Sequence, residues 1–312
     1  MIAVANCVRM SRGMRFHRLN SEKAHIYGNL LMLLAAAIWG FAFVAQRVGM
    51  DYVGPFTYNG VRFLLGGLSL LPLIFYFGRV GGYDQPSSFQ ETLLPGILTG
   101  TVLFIAVSLQ QLGLLYTTAG KAAFITGLYL VLVPILGLFL KQRIGIATWM
   151  GCMLGLIGLY FLCIRESSSL QLGDLLVLIG AFFWAVHIHV IGYFKRLSAV
   201  RLSCIQFLTC ALLGLTVAVF NETITWASLQ QAALPILYGG FCSVGIAYTL
   251  QVIGQKFASP AHAAIILSME AVFGVLGGYL LLGERMGLQE ITGCLLMLSG
   301  MLVSQWRSSS PS

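Results

Sequence analysis

Long apolar stretches separated by short polar turns run from about residue 26 to residue 306. Ten can be counted, at about 26–46, 55–78, 93–115, 119–140, 145–164, 172–194, 200–220, 233–255, 260–282 and 287–306. Each is close to the roughly 20 helical residues that cross a hydrocarbon core of ~30 Å. Strands of a membrane barrel would alternate apolar and polar positions. These runs are apolar all round, so the pattern predicts helices, whose backbone hydrogen bonds close within the segment. The longest connection, Gly78 to Thr92, carries Gly81-Gly82, Asp84 and Pro86, which favour turns. Ser167-Ser168-Ser169 joins the two halves.

Composition agrees. The chain of 312 residues is 58% hydrophobic and 9% charged, whereas soluble domains carry about 25% charged residues. The expectation is an all-α integral membrane protein. Its net charge of +8 suggests nucleic acid until the charges are placed. With the N-terminus in the cytoplasm, the inside segments hold Arg9, Arg12, Arg15, Arg18, Lys23, Arg79, Lys141, Arg143, Lys195, Arg196, Arg201, Lys256 and Arg307. The outside loops and span ends hold Arg47, Arg165 and Arg285. This is the positive-inside bias of a multi-pass protein of the inner (plasma) membrane with both termini cytoplasmic. No basic face with interleaved aromatics stands outside the spans, so nucleic acid is not an expected partner.

The seven cysteines show no CxxC and no metal-ligand spacing. They read as small core residues, with no metal or cofactor implied. Residues 1–25 hold Arg and polar residues without an apolar core, so no signal peptide is expected. They read as a cytoplasmic, disordered lead, and Met14 is an alternative start.

The apolar hairpin Ser259 to Arg307 has a counterpart at Gly120 to Cys163. Arg285 falls on Arg143, Gly293 on Gly151, Cys294 on Cys152 and Gly300 on Gly158, an offset of 142 throughout. The repeat extends over all five spans of each half. Gly28 and Trp39 align with Gly173 and Trp184, Arg62-Phe63 with Gln206-Phe207, and Gln110, Gly113 and Ala122-Ala123 with Gln251, Gly254 and Ala263-Ala264. Settling an internal repeat fixes the architecture before anything else. Five is odd, so the second half must cross the membrane upside down relative to the first. The expected fold is ten transmembrane helices as two inverted five-helix repeats, 26–165 and 172–306, followed by a cytoplasmic tail at 307–312. Inverted repeats are the architecture of secondary transporters, with a site near the midplane between the halves.

Three motifs then carry a resemblance. They are Trp39-Gly40, Arg62-Phe63, and the pattern Ser268-Met269-Glu270-Ala271-Val272-Phe273 … Leu282-Gly283-Glu284-Arg285 … Gly293 … Gly300. Over about residues 26–306 the chain resembles the EamA branch of the drug/metabolite transporter superfamily. The resemblance implies a ten-helix carrier with a central cavity between two EamA repeats, moving small metabolites, often outward. One departure stands out. The first hairpin reads Leu140-Lys141-Gln142-Arg143 where the family commonly has Gly-Glu-Arg, so that Glu cannot be essential in both halves.

Polar groups inside spans are costly and are functional candidates by default. Glu270 is the only carboxylate well inside a span. It is a candidate proton carrier or counter-charge to a substrate amine; the plain alternative is a structural Glu bonded to a neighbouring helix or to Arg62. Arg62 offers a bidentate fork to a carboxylate or phosphate; the favoured alternative is a staple to backbone carbonyls. Gln110 and Gln251, at matched positions, suit a cavity lining and an interhelical bond equally. Lys121 and His262 match at span starts; Lys121 stands on the outer side, against the charge rule, which favours a function, and the plain alternative is that both side chains snorkel. His187 shares a helix face with Trp184, while His189, two residues on, points elsewhere, so the two histidines make no joint metal site. Trp39 and Trp184 either pack the repeat interface or stack on a substrate ring. Gly151-x-x-x-Gly155 and Gly274-x-x-x-Gly278 permit close helix approach, expected within one copy of the chain rather than in a dimer; monomer and homodimer both stay open. Glu284-Arg285 reads as a turn cap or ion pair.

The leading expectation is therefore a secondary carrier for a small metabolite, an amino acid or an aromatic compound, with efflux the expected direction. Protons or a counter-substrate would drive it. No GxxxxGK[ST] loop exists to hold ATP. A lipid-modifying enzyme would need paired carboxylates or a His/Asp cluster at one interface. A channel would show a repeated pore-lining filter in symmetric subunits. The chain shows neither pattern.

Overall fold

The computed structural model describes residues 21–80, 87–117, 119–163, 171–282 and 287–305. Among them there is no β-strand. The helices are α1 (Ser21–Met50), α2 (Pro55–Val80), α3 (Phe89–Gly113), α4 (Ala119–Gly127), α5 (Tyr129–Phe139), α6 (Ile146–Cys163), α7 (Leu172–Tyr193) and α8 (Ala199–Asn221). They continue as α9 (Trp226–Gln231), α10 (Ala233–Leu237), a π-helical segment Tyr238–Tyr248, α11 (Thr249–Gly254), α12 (Pro260–Leu267), α13 (Glu270–Leu282) and α14 (Leu288–Gln305). Seven helical stretches among the described residues are long and apolar enough to cross a membrane, and Phe124–Phe139, Ile146–Leu162 and Leu288–Ser304 are shorter apolar ones. The protein is a multi-pass, all-α membrane protein of ten spans. The Ser167–Ser169 linker and the Glu284-Arg285 turn lie outside the described residues.

Two spans depart from the expected continuous helices. The fourth breaks at Leu128, between α4 and α5, and the ninth at Ser268-Met269, between α12 and α13. At each break the hydrogen bonds tighten from four residues to three: Leu128 N–H donates to Ile125 O at 3.2 Å, and Met269 N–H to Ile266 O at 3.1 Å. Such 3₁₀ turns inside a helix mark hinges or functional positions. The eighth span is modified differently, since eleven of its residues form the π-helix.

The chain divides into two compact units. The first holds Met1–Ala35, Ala45–Phe104 and Ile191–Ala258; the second holds Ala36–Val44, Ile105–Val190 and Ser259–Ser312. In the first unit α2 and α8 pack antiparallel. A Cβ on Gly60 would meet Leu215 and one on Gly67 would meet Leu208, so position rises along one helix as it falls along the other. At the centre of this pair sit Phe63 and Phe207, repeat-matched residues whose rings lie 6.1 Å apart, both packed on Tyr248. In the second unit α6 and α14 do the same. Gly151 opposes Gly300 and Gly158 opposes Gly293, with backbone carbonyls 2.6–2.7 Å from the sites where a Cβ would stand. Each glycine thus contacts the repeat partner of the other, and small residues let the backbones approach this closely. A further pair of contacts repeats in the same way. Gly254 packs on Gly28 and Met32 in the first unit, and Gly113 packs on Gly173 and Val177 in the second. The sequence repeat is also a repeat of packing contacts.

The mouth of α2 is closed by a distant carboxylate. Glu222, just past α8, accepts from Phe56 N–H and Thr57 N–H at 2.8 Å each and from the Thr57 hydroxyl at 2.6 Å. The first turn of a helix has no internal acceptors for its N–H groups, and an anion there also complements the helix dipole. Glu222→Ala leaves three donors unmet, a cost of about 2 kcal/mol. We expect the thermal midpoint in detergent to fall by about 5 °C, and by less for Glu222→Gln, whose amide oxygen still accepts. An unchanged midpoint for Glu222→Ala would mean that water replaces the cap.

Candidate functional site

Within the second unit the two interrupted spans bring Tyr129 and Glu270 together. Tyr129 is the first residue of α5 and Glu270 the first of α13, so each follows its break immediately. The Tyr129 hydroxyl donates to Glu270 Oε1 at 3.2 Å. Glu270 is half-buried, while Ala261 to Met269 before it are buried without exception. The breaks fall within two residues of each other across the repeat, since Leu128 falls on Met269 or on Glu270 according to which of the flanking alignments is extended. A carboxylate therefore sits where two discontinuous helices meet.

The surroundings of α5 follow from Pro134. Proline has no N–H, so the carbonyl of Leu130, four residues earlier, lacks its helical donor. The Cys152 thiol of α6 donates to it at 3.4 Å. On the same helix Val133 O is bonded by His189 Nε2 at 2.8 Å. Cys152 is thus a core cysteine with a specific partner. Cys152 did not stand among the expected site residues; the proline spacing was the available signal for it.

Several expected residues have hydrogen-bond or packing partners in the second unit. Trp184 Nε1–H donates to Gln110 Oε1 at 2.9 Å, so Gln110 makes an interhelical bond. His187, fully buried, packs edge-on against Trp184 at 5.9 Å. Ser304 gives its hydroxyl proton to Met301 O at 2.8 Å, which leaves Oγ as acceptor for His262 Nδ1 at 3.3 Å. His262 is buried against α14 in this way and does not snorkel to the membrane surface. Trp39 is half-buried in the part of α1 belonging to this unit. Lys121 lies on α4, and its side chain lies outside the described residues. Gly151 and Gly155 face α14 and Leu130 of the same chain, as expected for packing within one copy.

Gln251 and Arg62 belong to the first unit, so the matched Gln110 and Gln251 fall in different units, as do Glu270 and Arg62. Gln251 is buried on α11. Arg62 is 3% exposed. The favoured reading of it as a staple to backbone carbonyls is not what the structure shows: among the described residues it has no hydrogen bond, and its Nε is enclosed without an acceptor. Its guanidinium lies over the rings of Tyr58 at 5.3 Å and Phe63 at 5.1 Å. Space for it comes from the π-helical segment, where a Cβ on Gly239 would stand 3.3 Å from Arg62 Cδ. Inserting an arginine at helix centre costs ~2.5–3.5 kcal/mol or more, and an unmet buried donor about 1–3 kcal/mol. Cation–π contacts return ~0.5–2 kcal/mol. Arg62 is therefore held at a net cost.

Ten apolar spans, matched helix interruptions and repeated packing contacts define a membrane transporter. The chain belongs to the EamA-like transporter family, which it matches over residues 26–164 and 171–305. An uncharacterized transporter of Archaeoglobus fulgidus is 31% identical over 284 residues, covering 90% of this chain and 87% of that one. The uncharacterized transporter YoaV of Bacillus subtilis is 24% identical over 281 residues, covering 87% and 94%. A solved crystal structure at 20% identity and TM-score 0.76 covers 91% of this chain and 99% of its own, and shares the fold.

Proposed function

We propose that this transporter is a secondary carrier that moves a small metabolite across the inner membrane by alternating access, with Glu270 as the coupling group. The observation that carries this is the pair of matched helix interruptions with Glu270 and Tyr129 on the turns that follow them. Discontinuous helices at corresponding positions of two repeats are where carriers place substrate and coupling-ion sites. A carboxylate within spans otherwise so apolar is retained at a cost that binding a proton or a cationic group explains. Efflux is the direction proposed, and the distribution of Lys and Arg supports cytoplasmic termini.

The test is counterflow. Proteoliposomes loaded with a metabolite mixture are diluted into buffer containing one labelled compound at a time. A carrier gives transient accumulation of label that saturates with concentration. Uptake that never exceeds equilibrium and never saturates would contradict the carrier and favour a pore.

A further inference from the structure

We infer that Arg62 is the anchoring subsite for an oxyanion, a carboxylate or a phosphate, borne by the molecule this protein transports. The inference rests on the carrier reading only in making the bound anion the cargo. A guanidinium presents its N–H groups at its edge in a rigid fork that matches two acceptor oxygens at once. In the first unit the Tyr58 and Phe63 rings hold the cation, and those contacts use none of the N–H groups. The enclosed Nε has no acceptor, neither carboxylate nor carbonyl, among the described residues. Glu222, the acid bonded to the start of α2, is already committed to the backbone of Phe56 and Thr57. What is left is a fixed cation, 3% exposed, whose enclosed Nε has no acceptor among the described residues.

The neighbourhood is built around this arrangement. Tyr58, fully buried, is fixed by donating its hydroxyl to Pro235 O at 3.2 Å. Phe63 is fixed by Phe207 and Tyr248. Gly239 and Gly240 of the π-helical segment bring backbone where side chains would collide with Tyr58 and Leu65. The repeat partner of Arg62 is Gln206, so the charge is present once and not twice, as suits a ligand with one anionic end. Aromatic rings beside the fork suit an apolar body attached to that end.

The experiment is thermal unfolding of the purified full-length protein in detergent, titrated with phenylacetate, phenyl phosphate or neutral phenylacetamide at constant ionic strength. We expect at least one anion to raise the melting temperature saturably while the amide does not. A response to phenylacetate alone identifies the group as a carboxylate, to phenyl phosphate alone as a phosphate. Arg62→Met should abolish the response. Arg62→Lys keeps the charge but loses the fork, and should raise the half-saturating concentration at least tenfold even if the Met variant does not fold. No anion-specific response in the wild type, or a Lys variant that responds at wild-type concentrations, overturns the assignment. The assay needs no gradient. Counterflow without anion binding therefore removes this inference alone, and anion binding without counterflow removes only the carrier reading.

Discussion

Gly158→Ala and Gly293→Ala should each destabilise the protein, although glycine to alanine inside a helix ordinarily stabilises it by roughly 0.5–1 kcal/mol. The reversal of sign is the content of the prediction. At Gly158 a Cβ would lie 2.6 Å from Gly293 O and 2.8 Å from Met297 N; at Gly293 it would lie 2.7 Å from Gly158 O and 3.0 Å from Leu162 N. These neighbours are backbone atoms of a packed helix, so neither rotamer changes nor small shifts relieve the clash. Overpacking of this kind costs about 1–3 kcal/mol per site. The two substitutions act on one contact, so the double variant should lose less than the sum of the singles. Gly145→Ala is the control, because nothing lies within 4 Å of its Cβ position. The readout is the thermal midpoint in detergent together with the yield of monodisperse protein. Gain of stability at Gly158 would mean that α6 and α14 are not in backbone contact.

Glu270→Gln should abolish uphill accumulation while leaving exchange in place. The substitution keeps the shape and the acceptor for the Tyr129 hydroxyl but cannot carry a proton. One proton per substrate across one pH unit corresponds to 1.36 kcal/mol and about tenfold accumulation; the variant should accumulate nothing above equilibrium. Tyr129→Phe removes a single hydrogen bond of 3.2 Å and leaves the carboxyl, so accumulation should persist there.

The spans and their repeat are legible in the sequence because they rest on properties each residue carries by itself. Apolar runs of membrane length need no tertiary context, and Gly151, Gly158, Gly293 and Gly300 mark the seam through their spacing. Glu270 stands out for a similar reason, as a carboxylate where hydrocarbon is expected. The breaks at Leu128 and Met269 have no such mark. No proline interrupts either position, and a 3₁₀ tightening is set by what the helix packs against. The fate of Arg62 is illegible on the same ground. Whether a buried cation finds a carbonyl, a carboxylate or only aromatic rings depends on neighbours brought from Pro235 to Tyr248, far along the chain. The role of Gln110 turned on Trp184, a partner 74 residues away, and Glu222 caps a helix 166 residues before it. Spacing rules reach a few turns; these contacts do not repeat at any spacing.

The most direct test of the account compares wild type and Glu270→Gln in the same proteoliposomes, first by counterflow at equal pH and then with an imposed pH difference. The account predicts counterflow in both proteins and a pH-driven overshoot in the wild type alone. An overshoot of equal height in Glu270→Gln would contradict it, because the proton would then cross by a route that does not use this carboxylate.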